Sequence, residues 1–132
     1  IAHFLEVEKI SNARLVKSLP KDQYLALLRT MDVGLIFLDH RFTIPNFPSR
    51  LLDYLDASLP VIVATDPVTD VGLLLEKSEA GLRCESDSVD DFLACINVMK
   101  DVQHRVSYGI AAKELVASTF NAKRSADIIL KL

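Results

Sequence analysis

With 132 residues, half of them hydrophobic and a quarter charged, the chain has the size and balance of one globular domain that buries a real core. A net charge of −3 argues against a basic nucleic-acid-binding face, and no apolar run approaches the roughly 18 residues that a spanning helix or a signal segment would need. The two cysteines, Cys84 and Cys95, stand without a CxxC or histidine-rich neighbourhood, which suits a reducing cytoplasm and offers no metal site.

A helix-like stretch begins almost at Ile1, so the chain reads as a piece cut from something longer. Short apolar runs then alternate with amphipathic ones, the pattern of βαβ units around a parallel sheet. The first expected strand is Ala13–Lys17 (ARLVK). Pro20 suits the first turn of a helix over Lys21–Met31, with Tyr24, Leu28 and Met31 on one face. Val33–Leu38 (VGLIFL) is the second expected strand, and its lack of charge points to cover on both faces.

Residues 39–47 form the one long irregular connection, which delivers Pro48 to a helix over Pro48–Ala57 with Leu51, Tyr54 and Leu55 inward. Pro60–Ala64 (PVIVA) and Gly81–Cys84 (GLRC) complete four expected strands. Between them Thr69 or Asp70 can cap a short helix through Leu75. Ser88 with Asp91 makes a capping box before Phe92, Leu93, Ile96 and Met99. The last third is helical throughout, over Gln103–Ser118 and, capped by Asn121, over Ala122–Leu132.

In an open parallel sheet, ligands gather beyond the carboxyl ends of the strands, where helix N-termini point. Pro48 lacks an N–H that the helix would leave unpaired anyway. The amides of Ser49, Arg50 and Leu51 would then be free to face a phosphate, helped by the Ser49 hydroxyl and the Arg50 guanidinium. Asp53, four residues beyond Ser49, would reach ribose hydroxyls. The same spacing fits a plain loop in which Ser49 caps its own helix, Arg50 is solvated and Asp53 complements the helix dipole. Spacing does not separate the two. Asp39, His40 and Arg41 close the second strand at its carboxyl end, where ligands gather but where loop residues are more often simply solvated. Thr65, Asp66 and Asp70 follow the third, where ordinary turn and capping chemistry also accounts for them. His3 and His104 have no visible partners, and Cys84 and Cys95 read as packing residues.

PNFPSRLLDYLDASLPVIVATD resembles the donor-binding segment of the GT-B glycosyltransferases of family 4, the retaining class. That family carries a Glu-x7-Glu element followed by a Pro-Val-Ile-Ala strand. The preceding RLVKSLPKDQYLALLRTMDVGLIFL is similar too, and the match runs from about Asn12 to Glu85. The second acid of the element falls on Asp53. The first, which in the family contacts the donor sugar, falls on Pro45, and Pro48 replaces the glycine at the phosphates.

The resemblance implies a Rossmann-like α/β fold with a parallel sheet of about four strands and a helical last third. Residues 1–132 would be a single partial domain, the C-terminal, nucleotide-sugar-binding half of a GT-B enzyme without its acceptor domain. Donor contacts would come from Asn46, Phe47, Pro48, Ser49, Arg50, Asp53, Thr65 and Asp66. Neither a metal nor another cofactor is implied, and the catalytic residues are not assigned.

The partners implied are a nucleoside diphosphate sugar and, through the absent domain, a glycan or lipid-linked acceptor in polysaccharide biosynthesis. The Pro-Ser-Arg variant is similar to a subgroup that assembles bacterial surface polysaccharides. Alone, this piece would transfer no sugar. The full-length protein would be cytoplasmic, with a peripheral place at the inner face of the membrane open to it. A six-stranded sheet in the order 3-2-1-4-5-6 would leave this piece with strands three to six. Then either Ala13–Lys17 moves against Val33–Leu38, or two chains self-associate along that edge. The alternative reading is a non-enzymatic nucleotide- or phosphate-binding α/β module. A GT-B-shaped phosphosugar epimerase would need a carboxylate and histidine set that the sequence lacks. A CheY-like receiver would need an acidic pair after the first strand and a lysine after the last.

Overall fold

Burial at Val61–Thr65 fixes the architecture: all five residues are inaccessible, which only a central strand covered on both faces achieves. The computed structural model describes residues 2–41, 44, 46–121, 126, 129 and 130. In chain order these form α1 (Ala2–Val7), α2 (Lys21–Leu28), β1 (Gly34–Phe37), α3 (Arg50–Asp56), β2 (Val61–Thr65), α4 (Val71–Lys77), β3 (Gly81–Glu85), α5 (Val89–Met99) and α6 (Val102–Thr119). The three strands make one parallel sheet in the order β1-β2-β3, with Gly34 opposite Val61 and Val61 opposite Gly81.

Alternation along the strands sorts the core into two layers. Ile36, Val61 and Val63 pack with Leu51 and Leu55 of α3, Val71 and Leu75 of α4, and Ala112 and Leu115 of α6. On the opposite face Ile62, Ala64 and Cys84 pack with Cys95 and Met99 of α5. At β1 this second face is thinly covered. Phe37 is 57% exposed and touches Phe92 of α5 with ring centroids 5.1 Å apart. Helix α6 passes so close to the α3–β2 turn that a Cβ on Gly109 would lie 2.5 Å from the Ser58 carbonyl oxygen. Only glycine fits there.

Helix starts follow their local chemistry in part. Ser88 accepts a hydrogen bond from the Asp91 amide at 3.2 Å, one half of the expected capping box; the Ser88 amide donates to the Glu85 carbonyl at 3.2 Å and not to the Asp91 side chain. Asp101 caps α6 through the Gln103 amide at 2.7 Å. Asp70 precedes α4 without a side-chain cap bond. Asp66 orders the turn before it, accepting from the amides of Val68 and Thr69 at 2.8 and 2.9 Å.

The sheet has three strands among the described residues, not four. Ala13–Lys17 is exposed irregular chain that pairs with nothing in the sheet. Two cations flank its two large apolar residues, and Leu15 and Val16 are 52% and 46% exposed. A strand this short gains little without a ladder partner or a face to bury. The expected move of this segment against β1 is therefore absent, and among the described residues nothing pairs with the outer edge of β1. The helix expected over Ala122–Leu132 lies for the most part outside the described residues. None of the described helices is long and apolar enough to cross a membrane.

Candidate functional site

Two adjoining hollows open where β1 ends and α3 begins. The first, about 350 Å3, is lined by Ile36, Phe37 and Leu38 of the strand end and by Asn46, Phe47, Pro48, Ser49 and Arg50. The second, about 370 Å3, lies between α2 and α3 and is lined by Tyr24, Ser49, Arg50, Asp53 and Tyr54. Ser49 and Arg50 form the wall common to both. Six of the eight expected donor-binding residues thus come together.

The α3 start departs from the expected geometry. Ser49 already has helical backbone angles, φ −57° and ψ −34°, and its hydroxyl makes no cap bond, because a capping side chain needs an extended backbone to fold back on the first turn. Among the described residues the hydroxyl is therefore free for another acceptor or donor. The Leu51 amide, expected to be free, donates to the Pro48 carbonyl at 2.9 Å. Among the described residues the Ser49 and Arg50 amides have no acceptor and remain for a ligand. Seven residues of helix make a weak dipole, so the guanidinium of Arg50 is the stronger attraction for an anion. Arg50 is exposed, and among the described residues it forms no ion pair. Phe47 leans on Phe120, the residue after α6, with centroids 5.3 Å apart, which braces the loop against the end of that helix.

Asp53 faces Tyr24 across the second hollow. Burial, and then the Asp53 charge, raise the pKa of the Tyr24 phenol. Tyr54 forms another wall. Sequence periodicity placed both tyrosines on inward apolar faces. Both are half-buried and line the second hollow. The signal was in the residue type, since a tyrosine on a core-facing stripe carries a hydroxyl that wants a partner.

Thr65 and Asp66 stand apart from both hollows. Each is 1% exposed. The Asp66 carboxylate is occupied by the loop itself: it takes the Thr69 hydroxyl as well as the two amides. Its carboxyl lies below the usual range chiefly because of the Thr69 hydroxyl, against its own burial and with help from the amides. Thr65 Oγ1 is buried and has no hydrogen-bond partner among the described residues. Asp39 and Arg41 are spent on each other, with Nε and Nη2 of the arginine 2.9 and 2.6 Å from the two carboxylate oxygens. That fork holds the Asp39 carboxyl well below the ordinary carboxylate range. Cys84 and Cys95 are buried free thiols, and burial pushes Cys84 up to about 11, which makes it a poor nucleophile.

A larger hollow, about 540 Å3, lies at the amino ends of the strands, between Met31, Pro60 and α6. Two of its basic groups are already paired, Arg105 with Asp32 at 3.5 Å and Lys113 with Asp56 at 2.7 Å. It therefore offers an anion less than Arg50 does. Among the described residues no three His, Cys, Asp or Glu side chains are grouped to hold a metal ion. Comparison with protein-family models, with curated proteins and with solved structures gives no match.

Proposed function

We propose that this chain is the nucleotide-sugar-binding half of a retaining GT-B glycosyltransferase acting in polysaccharide biosynthesis. The observation that carries the reading is the Arg50 guanidinium, which forms no ion pair among the described residues, on the wall between two hollows at the carboxyl end of a parallel sheet. The diphosphate would lie against Arg50, the Ser49 hydroxyl and the amides of Ser49 and Arg50, with the nucleoside in the second hollow beside Asp53. Chemically, the cation and the amides stabilise the negative charge that builds on the departing nucleoside diphosphate. This role needs no metal ion. The acceptor would be held by a domain outside these residues, so this chain by itself transfers no sugar.

The second reading, a non-enzymatic nucleotide- or phosphate-binding module, uses the same hollows. In its favour, Pro45 stands where the family has the acid that contacts the donor sugar. Release of sugar from a nucleotide-sugar by the full-length protein would separate the two. Titration of this chain with UDP and GDP, followed at the backbone amides, tests the shared site. A dissociation constant on the order of 1 mM is expected, about 4 kcal/mol of binding, with shifts gathered at Asn46–Asp53 and Tyr24. Arg50→Gln should weaken it about tenfold, the loss of one charge-assisted contact. Shifts confined to the α6 hollow, or none well above that concentration, would refute the site.

A further inference from the structure

The outer edge of β1 presents both a backbone and a side-chain surface to solvent. The amides of Gly34 and Leu38 donate to the carbonyls of Pro60 and Ala64, each at 2.9 Å. Successive residues of a strand turn their N–H and C=O to opposite sides. Leu35 and Phe37 therefore present theirs to the outer edge, where nothing among the described residues pairs with them. Their side chains share one face of the strand, the face on which Phe37 meets Phe92 of α5, and are 40% and 57% exposed. Sheet edges are normally blunted by a lysine, a proline, a bulge or an inward charge. Gly34–Phe37 carries no charge and no proline, and its register with β2 runs unbroken.

This edge is complementary to itself. Two copies related by a two-fold axis at Ile36 run antiparallel there, with Leu35 of each opposite Phe37 of the other. Each outward N–H then meets an outward C=O, because facing residues of such a pair exchange both bonds. The same pairing sets leucine against phenylalanine on the exposed face, a contact that stabilises sheets. Continued past the strand, this register puts Asp32 opposite His40 of the second copy and Asp39 opposite its Val33. No carboxylate faces a carboxylate. Ala13–Lys17 is the other strand-like segment without a ladder partner, but it suits the edge less well. As a strand it would set only one of Leu15 and Val16 against the face that Leu35 and Phe37 expose.

We propose that β1 is a self-association edge, along which two copies of this chain join β1 to β1 antiparallel and form one continuous sheet. This pairing does not depend on the nucleotide reading.

Sedimentation of this chain from micromolar to millimolar concentration reads the association. A seam of one short strand is small, so a dimerisation constant on the order of 0.1 mM is expected. Phe37→Lys places an ammonium at the seam on a position already exposed, and should weaken association about tenfold. Val106→Lys, at a site 53% exposed on α6, should leave it unchanged. In a sample mixing isotope-labelled with unlabelled chains, cross-chain NOEs should join Leu35 to Phe37.

A chain that stays monomeric at about 1 mM overturns the self-association, since a tenth of that concentration should already half-populate the dimer. A dimer that Phe37→Lys leaves intact, or that Val106→Lys breaks, places the seam elsewhere and overturns it too. If Phe37→Lys fails to fold, the cross-chain NOEs of the original chain decide. NOEs from Leu15 or Val16 to β1 of the other copy would mean exchange of the Ala13–Lys17 segment, and would refute the β1-to-β1 seam.

Discussion

Gly34→Ala is the substitution in which two opposed effects of known size meet. A glycine inside a strand costs roughly 0.5–1 kcal/mol relative to alanine, so backbone entropy by itself favours the change. The structure opposes it. A Cβ at position 34 would lie 2.5, 2.9 and 3.0 Å from Cδ2, Cγ and Cε2 of Tyr54, where carbon atoms sit comfortably at about 3.5–4.0 Å. Because Cγ is the ring atom nearest the backbone, turning the far end of the ring does not relieve the overlap. Either Tyr54 changes rotamer or α3 lifts from β1. Overpacking of this kind costs about 1–3 kcal/mol, which leaves a net loss of roughly 1 kcal/mol after the entropic gain.

With about 2.1 cal/mol/K of unfolding entropy per residue, a chain of 132 residues should lose roughly 4 °C in Tm. Thermal unfolding followed by circular dichroism is the assay. The sign should reverse when the ring is removed: in a Tyr54→Ala background, Gly34→Ala should raise Tm, and the cycle isolates the steric contact. A Gly34→Ala protein as stable as the original, or more stable, would refute the close packing of Tyr54 on β1. The second hollow would lose a wall with it.

Thr65→Val removes the buried, unpaired hydroxyl at the end of β2 and should raise stability by about 1 kcal/mol; a loss of similar size in denaturant unfolding would mean that Oγ1 has a partner. Asp66 has a folded-state pKa below its ordinary value, so its contribution is fully present above about pH 4 and is lost as pH falls through the depressed folded value. Asp66→Asn should therefore flatten the acid limb of the stability profile, and parallel profiles for the two proteins below pH 4 would contradict the role assigned to Asp66.

Much of the fold was determined by the sequence itself. The uncharged run Val61–Thr65 has a single satisfactory home, the middle of a parallel sheet covered on both faces, because unpaired backbone groups and exposed apolar chains are both costly. The equally uncharged Gly34–Phe37 takes the edge beside it and leaves Leu35 and Phe37 exposed on one face, against the cover expected on both. The amphipathic spacing from Leu51 to Leu55 and the Ser88–Asp91 cap are equally local. Ala13–Lys17 shows where such reasoning stops. Its composition suits a strand, but a strand exists only through a neighbour's hydrogen bonds, and no described residue supplies them.

The site divides in the same way. Pro48, Ser49 and Arg50 were legible because the chemistry of a helix start is read over a few consecutive residues. That the Ser49 hydroxyl leaves its own helix uncapped, and that the Leu51 amide is taken by Pro48, depend on backbone angles set by the whole loop. Thr65 and Asp66 follow an apolar strand as ligand-contacting residues often do, yet both are buried, and the turn before α4 takes up the Asp66 carboxylate. Tyr24 and Asp53 lie far apart along the chain, and only the docking of α2 beside α3 makes them walls of one cavity. Periodicity fixes which face a residue occupies on its own element; it carries no information about what stands across the gap.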